Sequence, residues 1–260
     1  MQLYLYDHTT DSIIEMIGTP GPDTTAINTY VPGTYTSVFS FYNSGVQQVG
    51  QWLNTDPGVV TFVWKVGAFP GENPSDGGQD LTRILEANDE TFTLGKGQQI
   101  AAFDRELRTA VGTSTSAEFN GIGHSWGLAA ITSAEVAGSD YANVVSLAGA
   151  GMPEGWVKHE GTVYSHFSYR DALSMAQQSG VVWEGNNPGA SADFVQHQYA
   201  RDGDYRLLLP TSTAPYAGGV SVTPPAEFLG STHALDNHNL IASDDPENAR
   251  VLRDVRDTLK

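Results

Sequence analysis

The sequence predicts an α/β fold with a mostly parallel central sheet and helices on both of its faces. Three observations predict it. Short apolar runs alternate with segments of helical periodicity along most of the chain. The run at residues 59–66 (VVTFVWKV) is nearly continuous in β-branched and aromatic residues, as a strand buried on both faces requires. A further run at residues 118–122 leads into a serine bracketed by glycines. Residues 126–136 (WGLAAITSAEV), rich in Leu, Ala and Ile, follow it as a helix.

The other elements follow in order. Residues 2–7 alternate as a strand, and residues 12–17 read as its hairpin partner across His8-Thr9-Thr10-Asp11. Residues 26–31 form the next strand, closed by the turn signal Pro32-Gly33-Thr34-Tyr35-Thr36. Residues 38–53 read as one helix, stopped by Asp56-Pro57-Gly58. Residues 67–80, rich in Gly, Pro and Asn, are a surface loop. Residues 98–111 place Ile100, Phe103, Leu107 and Val111 on one helical face. Strands are expected at 143–147 and 162–167, with 204–209 as the last strand, 211–225 as loop and 246–259 as a terminal helix. Asp244 or Asp245 is the N-cap of that helix. In such sheets, sites form beyond the carboxyl ends of the strands, here near Val31, Ile122, Phe167 and Leu209.

Composition bounds the chemistry. The 260 residues suffice for one large core, so residues 1–260 are expected to form a single domain. Thirteen Lys and Arg against 30 Asp and Glu leave a formal charge of −17. Such a surface repels phosphate backbones, which argues against nucleic-acid binding, and it disfavours anionic membranes and strongly acidic substrates. With no cysteine, disulfides, thiolate catalysis and Cys-based zinc sites are excluded. No signal peptide is read at MQLYLYDHTT, and no apolar run approaches the ~20 residues of a membrane span. Compartment and oligomeric state have no signature here.

Gly123-His124-Ser125-Trp126-Gly127 fits G-x-S-x-G, a strand-to-helix turn that exposes a nucleophilic serine. A serine hydroxyl needs a histidine base, and the base needs an acid to hold its tautomer. In α/β-hydrolases the order along the chain is Ser, acid, His. That order leaves His233 and His238 as bases. His233 follows the polar run Gly230-Ser231-Thr232, suited to a loop entering the site. His238 stands beside Asn239-Leu240-Ile241, where a histidine is better placed to cap or pack. For the acid, Asp171 directly follows a strand, although it also suits an N-cap for residues 172–176; Asp193, Asp202 and Asp204 are rivals. The oxyanion hole needs two backbone N–H groups, expected from Trp126 and from Thr34 in the turn after residues 26–31. Gly95-Lys96-Gly97 lacks phosphate-loop spacing, and His233, Asp236 and His238 lack zincin spacing, so neither a cofactor nor a metal is expected.

Several stretches together resemble a family: the largely uncharacterised bacterial α/β-hydrolases with a GHSYG-type elbow. Tyr30-Val31-Pro32-Gly33-Thr34 resembles its V-P-G-T/M segment, and Thr61-Phe62-Val63-Trp64 with Pro70 its I-A-W…P strand and loop. The elbow matches with Trp126 where tyrosine is usual. Ser146-Leu147-Ala148-Gly149-Ala150-Gly151 resembles its L-V-G-S-P-G strand end, with Ala150-Gly151 as the departure. Tyr169-Arg170-Asp171-Ala172 falls where the family has its acid. Asn187-Pro188 and Asp193-Phe194 are similar to its G-x-x-P…F-G stretch. His233-Ala234-Leu235-Asp236-Asn237 lies where it has H-S-x-Y. The resemblance implies an α/β-hydrolase fold with Ser125 as nucleophile, Asp171 as acid and His233 as base. The expected activity is hydrolysis of a small-molecule or lipid-like ester through an acyl-enzyme. Amide, thioester or perhydrolase chemistry, or a non-catalytic binding domain, are the alternatives.

Overall fold

Alternating apolar residues build a sheet whose two faces are both covered. The computed structural model describes residues 1–73, 75–111, 116–178, 180, 182–208, 213–216, 219–222 and 227–259. Eight strands form the main sheet: β1 (Gln2–Asp7), β2 (Ser12–Ile17), β3 (Ala26–Val31), β4 (Val59–Lys65), β5 (Glu118–His124), β6 (Asn143–Leu147), β7 (Val163–Ser168) and β8 (Val195–Gln198). Their order is β1-β2-β4-β3-β5-β6-β7-β8. β1 and β2 are antiparallel, as are β2 and β4, and every other neighbouring pair is parallel. This is the α/β-hydrolase fold.

The helices are α1 (Ser40–Asn43), α2 (Gln48–Leu53), α3 (Glu90–Val111), α4 (Trp126–Val136), α5 (Ala172–Gln177), α6 (Ala234–Leu240) and α7 (Ala249–Thr258). The period of two on β4 explains its continuous apolar run. Val60, Phe62 and Trp64 pack with residues of α3 and α4, while Val63 packs on the opposite face with α2 and α7. Register is held near the amino ends of the strands by a buried polar ladder. Asn143 Nδ2 donates to Asn120, Asn120 Nδ2 to Asn28, and Asn28 Nδ2 to Thr61 Oγ1, at 2.9, 2.9 and 3.1 Å. A one-residue slip of any of these strands would break its bonds in the ladder and turn its apolar face over.

Several expectations are corrected. Residues 38–53 are two short helices, α1 and α2, interrupted at Gly45 with φ +64°. The helix expected from residue 98 starts at Glu90. Residues 204–209 do not close the main sheet: β9 (Asp204–Leu208) pairs instead with β12 (Glu227–Ser231). The eighth strand is β8, whose VQHQ is too short and polar to show an apolar pattern. Within the expected loop at 211–225, β10 (Thr213–Tyr216) and β11 (Gly219–Val222) pair as antiparallel strands. Leu209 lies outside the described residues, as do 210–212, 217–218 and 223–226. At the C-terminal end Asp245 caps a 3-10 turn by accepting the Glu247 N–H, and α7 follows it.

The loop after β4 is pinned by buried charge. Lys65 is fully buried, paired to Asp11 and, at 3.1 Å, to Glu72. Glu72 also accepts the Phe69 N–H at 2.9 Å. The Pro70 carbonyl accepts the Tyr35 N–H at 2.9 Å, so this loop braces the turn after β3. Burial, with help from the adjacent Asp11 carboxyl, pushes Glu72 from 4.5 up to about 8. Folded Glu72 therefore holds a proton that the unfolded chain has released, so stability falls as pH rises between those two values. Urea midpoints at pH 5, 6, 7 and 8 are expected to decline, and Glu72→Gln to decline less. Parallel slopes would contradict this.

Candidate active site

Ser125 lies at the apex of the turn from β5 into α4. Its φ of +55° and ψ of −124° are strained for a residue with a side chain, and surrounding contacts must hold them. The Ser125 N–H donates to Leu147 O at 3.0 Å, and its carbonyl accepts the Ala150 N–H at 2.9 Å. The segment after β3 presses on the turn from the other side. A Cβ at residue 127 would lie 2.1 Å from the Val31 carbonyl oxygen, and one at residue 33 would lie 2.9 Å from the Ser125 Cβ. Gly127 is thus required by the approach of backbone, and Gly33 by the approach of the Ser125 and His124 side chains.

A continuous hydrogen-bond chain starts at the serine. Ser125 Oγ is 2.9 Å from His238 Nε2, and His238 Nδ1 is 2.5 Å from Asp171 Oδ2. A carboxylate only accepts, so Nδ1 carries the proton and Nε2 accepts from the serine hydroxyl. Asp171 follows β7 and caps α5: its Oδ1 accepts the Ser174 N–H at 2.7 Å while Oδ2 faces the histidine. The capping role and the role toward histidine therefore coexist, one oxygen each. Burial pushes the Asp171 carboxyl up, but the hydrogen bond and charge of His238, with the Ser174 N–H, hold it below the usual carboxylate value.

Two side chains without a sequence signature aim His238. Asn237, fully buried, donates to the Arg170 carbonyl at 2.8 Å and accepts from Arg201 at 2.9 Å, tying α6 to the loop that carries Asp171. His124 Nε2 lies 2.9 Å from the His238 carbonyl, which can only accept, so His124 donates there. Burial, then the neighbouring His238, pushes His124 down to about 3, and it stays neutral and keeps that donor proton.

The histidine position expected for His233 is occupied by His238. α6 begins at Ala234, which leaves His233 as its half-exposed N-cap residue, 3.9 Å from Asp236. Five residues along a helix turn the side chain by roughly 140°, so the two histidines face different ways. Buried Leu240 and Ile241 fix which face α6 turns inward. The packing that argued against His238 in the sequence is what points it at Ser125.

The remaining expected residues also find places. Trp126 and Thr34 line the cavity with Ser125, and among the described residues their N–H groups have no hydrogen-bond partner. The Trp126 side chain is buried against Phe69, with its Nε1–H on Thr93. Asp193, Asp202 and Asp204 stand outside the cavity; Asp204 accepts the Arg201 N–H. The cavity has a volume of about 1090 Å³. The loop at 67–80 contributes Gln79 to it, and the stretch 211–230 contributes none of its described residues. No helix among the described residues is long and apolar enough to cross a membrane.

No family model and no curated protein matches the chain. Solved structures similar to it include a carboxylesterase from Mesorhizobium loti, at 11% identity over 76% of this chain and 90% of that one, with a TM-score of 0.44. A dienelactone hydrolase-like promiscuous phosphotriesterase from metagenomic libraries is 12% identical over 98% of this chain and 94% of its own, with a TM-score of 0.47. A lidless α/β serine hydrolase from Xanthomonas campestris is 12% identical over 73% and 79%, with a TM-score of 0.34. At these identities and TM-scores the likeness carries neither residue roles nor an activity.

The backbone contact at Gly127 makes a steric prediction. Gly127→Ala is expected to destabilise the protein by roughly 3 kcal/mol or more, because a carbonyl oxygen cannot swing aside as a side chain can. A melting temperature within a degree of the parent would contradict that packing.

Proposed function

We propose that the chain is a serine hydrolase that cleaves a carboxylic ester through an acyl-enzyme. The observation that carries this reading is the Ser125–His238–Asp171 hydrogen-bond chain, opening at its serine end into a large cavity. Ser125 Oγ attacks the ester carbonyl as His238 Nε2 takes its proton. Charge gathers on the carbonyl oxygen, where the unpaired N–H groups of Trp126 and Thr34 are the donors available to hold it. The start of α4 behind Ser125 adds its positive dipole end. His238 returns the proton to the departing alkoxide, leaving the acyl group on Ser125. Water then repeats the sequence: His238 takes its proton, hydroxide adds to the acyl carbon, and the serine leaves with the proton back from His238. Asp171 holds the tautomer that makes each transfer possible and stabilises the imidazolium between them.

The assignment of the base makes the test specific. His238→Ala is expected to lower kcat for a p-nitrophenyl ester by about 10³-fold or more. His233→Ala should stay within about tenfold of the parent, a barrier change of ~1.4 kcal/mol. Circular dichroism should be unchanged in both. The opposite ranking, or activity untouched by His238→Ala, would overturn the reading.

A further inference from the structure

We propose that the cavity beside Ser125 is shaped for the uncharged, apolar acyl chain of a medium- to long-chain ester. The inference rests on the hydrolase reading of Ser125 and names the substrate class of that site. Its volume of about 1090 Å³ is far more than a short acyl group needs. It lies just above the range of ~300–1,000 Å³ typical of pockets that enclose drug-sized ligands. Among the described residues that line it there is no Asp, Glu, Lys or Arg. In a chain with a formal charge of −17, a wall free of carboxylates and cations sets the site apart from the surface. The charges that flank Ile84 and Leu85 in sequence are spent on other groups. Arg83 and Glu86 pair with each other at 2.9 Å, and Arg83 also donates to the Glu72 carbonyl.

The apolar wall is assembled from separate turns. Ile84 and Leu85 come from the 3-10 turn Arg83–Asn88, and Val182 and Trp183 from the turn Val182–Gly185. The two turns are joined where the Trp183 N–H donates to Asn88 Oδ1 at 2.6 Å. Trp183 and Glu184 both hold positive φ, +49° and +52°, a costly backbone for residues with side chains. Trp183 itself is buried and lines the cavity. At the mouth, Leu85 and Leu235 are 78% and 77% exposed, although both line the cavity. An acyl chain that covers these side chains removes apolar surface from water and is favoured roughly in proportion to its length. A carboxylate on the same chain would lose its hydration with no cation in the wall to replace it.

The test compares kcat/KM for p-nitrophenyl acetate, butyrate and octanoate, and for the p-nitrophenyl monoester of suberic acid, which is octanoate with a terminal carboxylate. Ser125→Ala serves as the blank. Octanoate should exceed acetate by about 100-fold. The suberate monoester should fall at least ~30-fold below octanoate. Leu85→Asp and Leu235→Asp, at exposed positions that spare the fold, should each cut the octanoate-to-acetate ratio by about tenfold. Ser125-dependent hydrolysis that prefers acetate, or that takes the suberate monoester as readily as octanoate, would overturn the acyl-chain assignment and leave the hydrolase reading standing. No Ser125-dependent hydrolysis of any ester would overturn both.

Discussion

The carboxyl edge of the sheet depends on three backbone segments packed against one another around Ser125. The end of β3 supplies the Val31 carbonyl, which lies where a Cβ of residue 127 would be, and the turn beyond it brings Gly33 against Ser125 itself. The end of β6 supplies Leu147 O and the segment after it the Ala150 N–H, which bond the backbone of Ser125 on either side. Between them the serine keeps a conformation that an unconstrained chain would leave. The same approach brings the Thr34 and Trp126 N–H groups to the wall of one cavity. The Pro70 carbonyl, held through the Lys65–Glu72 pair, receives the neighbouring Tyr35 N–H and leaves that of Thr34 unused.

Buried polar groups then divide the work of placing His238. Asp171 gives one oxygen to α5 and the other to the imidazole, so a helix cap anchors the acid. Asn237 carries no proton in the chemistry, yet it joins α6 to the Arg170 carbonyl, one residue before Asp171. His124 could have brought a second charge into the site. Burial keeps it neutral, and its single N–H holds the His238 backbone carbonyl. Each of these bonds is modest alone; together they leave His238 one position, between Ser125 and Asp171.

Much of this was legible in the sequence because it rests on local patterns. Continuous apolar runs such as that of β4 mark strands buried on both faces, and the glycines at 123 and 127 mark a turn too tight for side chains. Asp171 was legible because it directly follows a strand end, at the carboxyl edge of the sheet where sites form. The choice between His233 and His238 was not. It depends on where α6 begins and on which face Leu240 and Ile241 bury, and both are set by contacts with distant parts of the chain. β8 escaped notice because four residues at a sheet edge, three of them polar, need no apolar pattern. The Lys65–Asp11–Glu72 cluster joins residues far apart in sequence, and nothing in their spacing announces that a lysine at a strand end is fully buried.

The central claim is that Ser125 is activated by His238 and exposed to the cavity. A fluorophosphonate probe followed by peptide mass spectrometry tests it most directly, because the probe reacts with a serine that a neighbouring base has made nucleophilic. The account predicts one adduct, on the peptide that carries Gly123 to Gly127, formed in the parent protein and lost in His238→Ala. An adduct on another serine with none on Ser125, or labelling of Ser125 that is indifferent to His238→Ala, would contradict it.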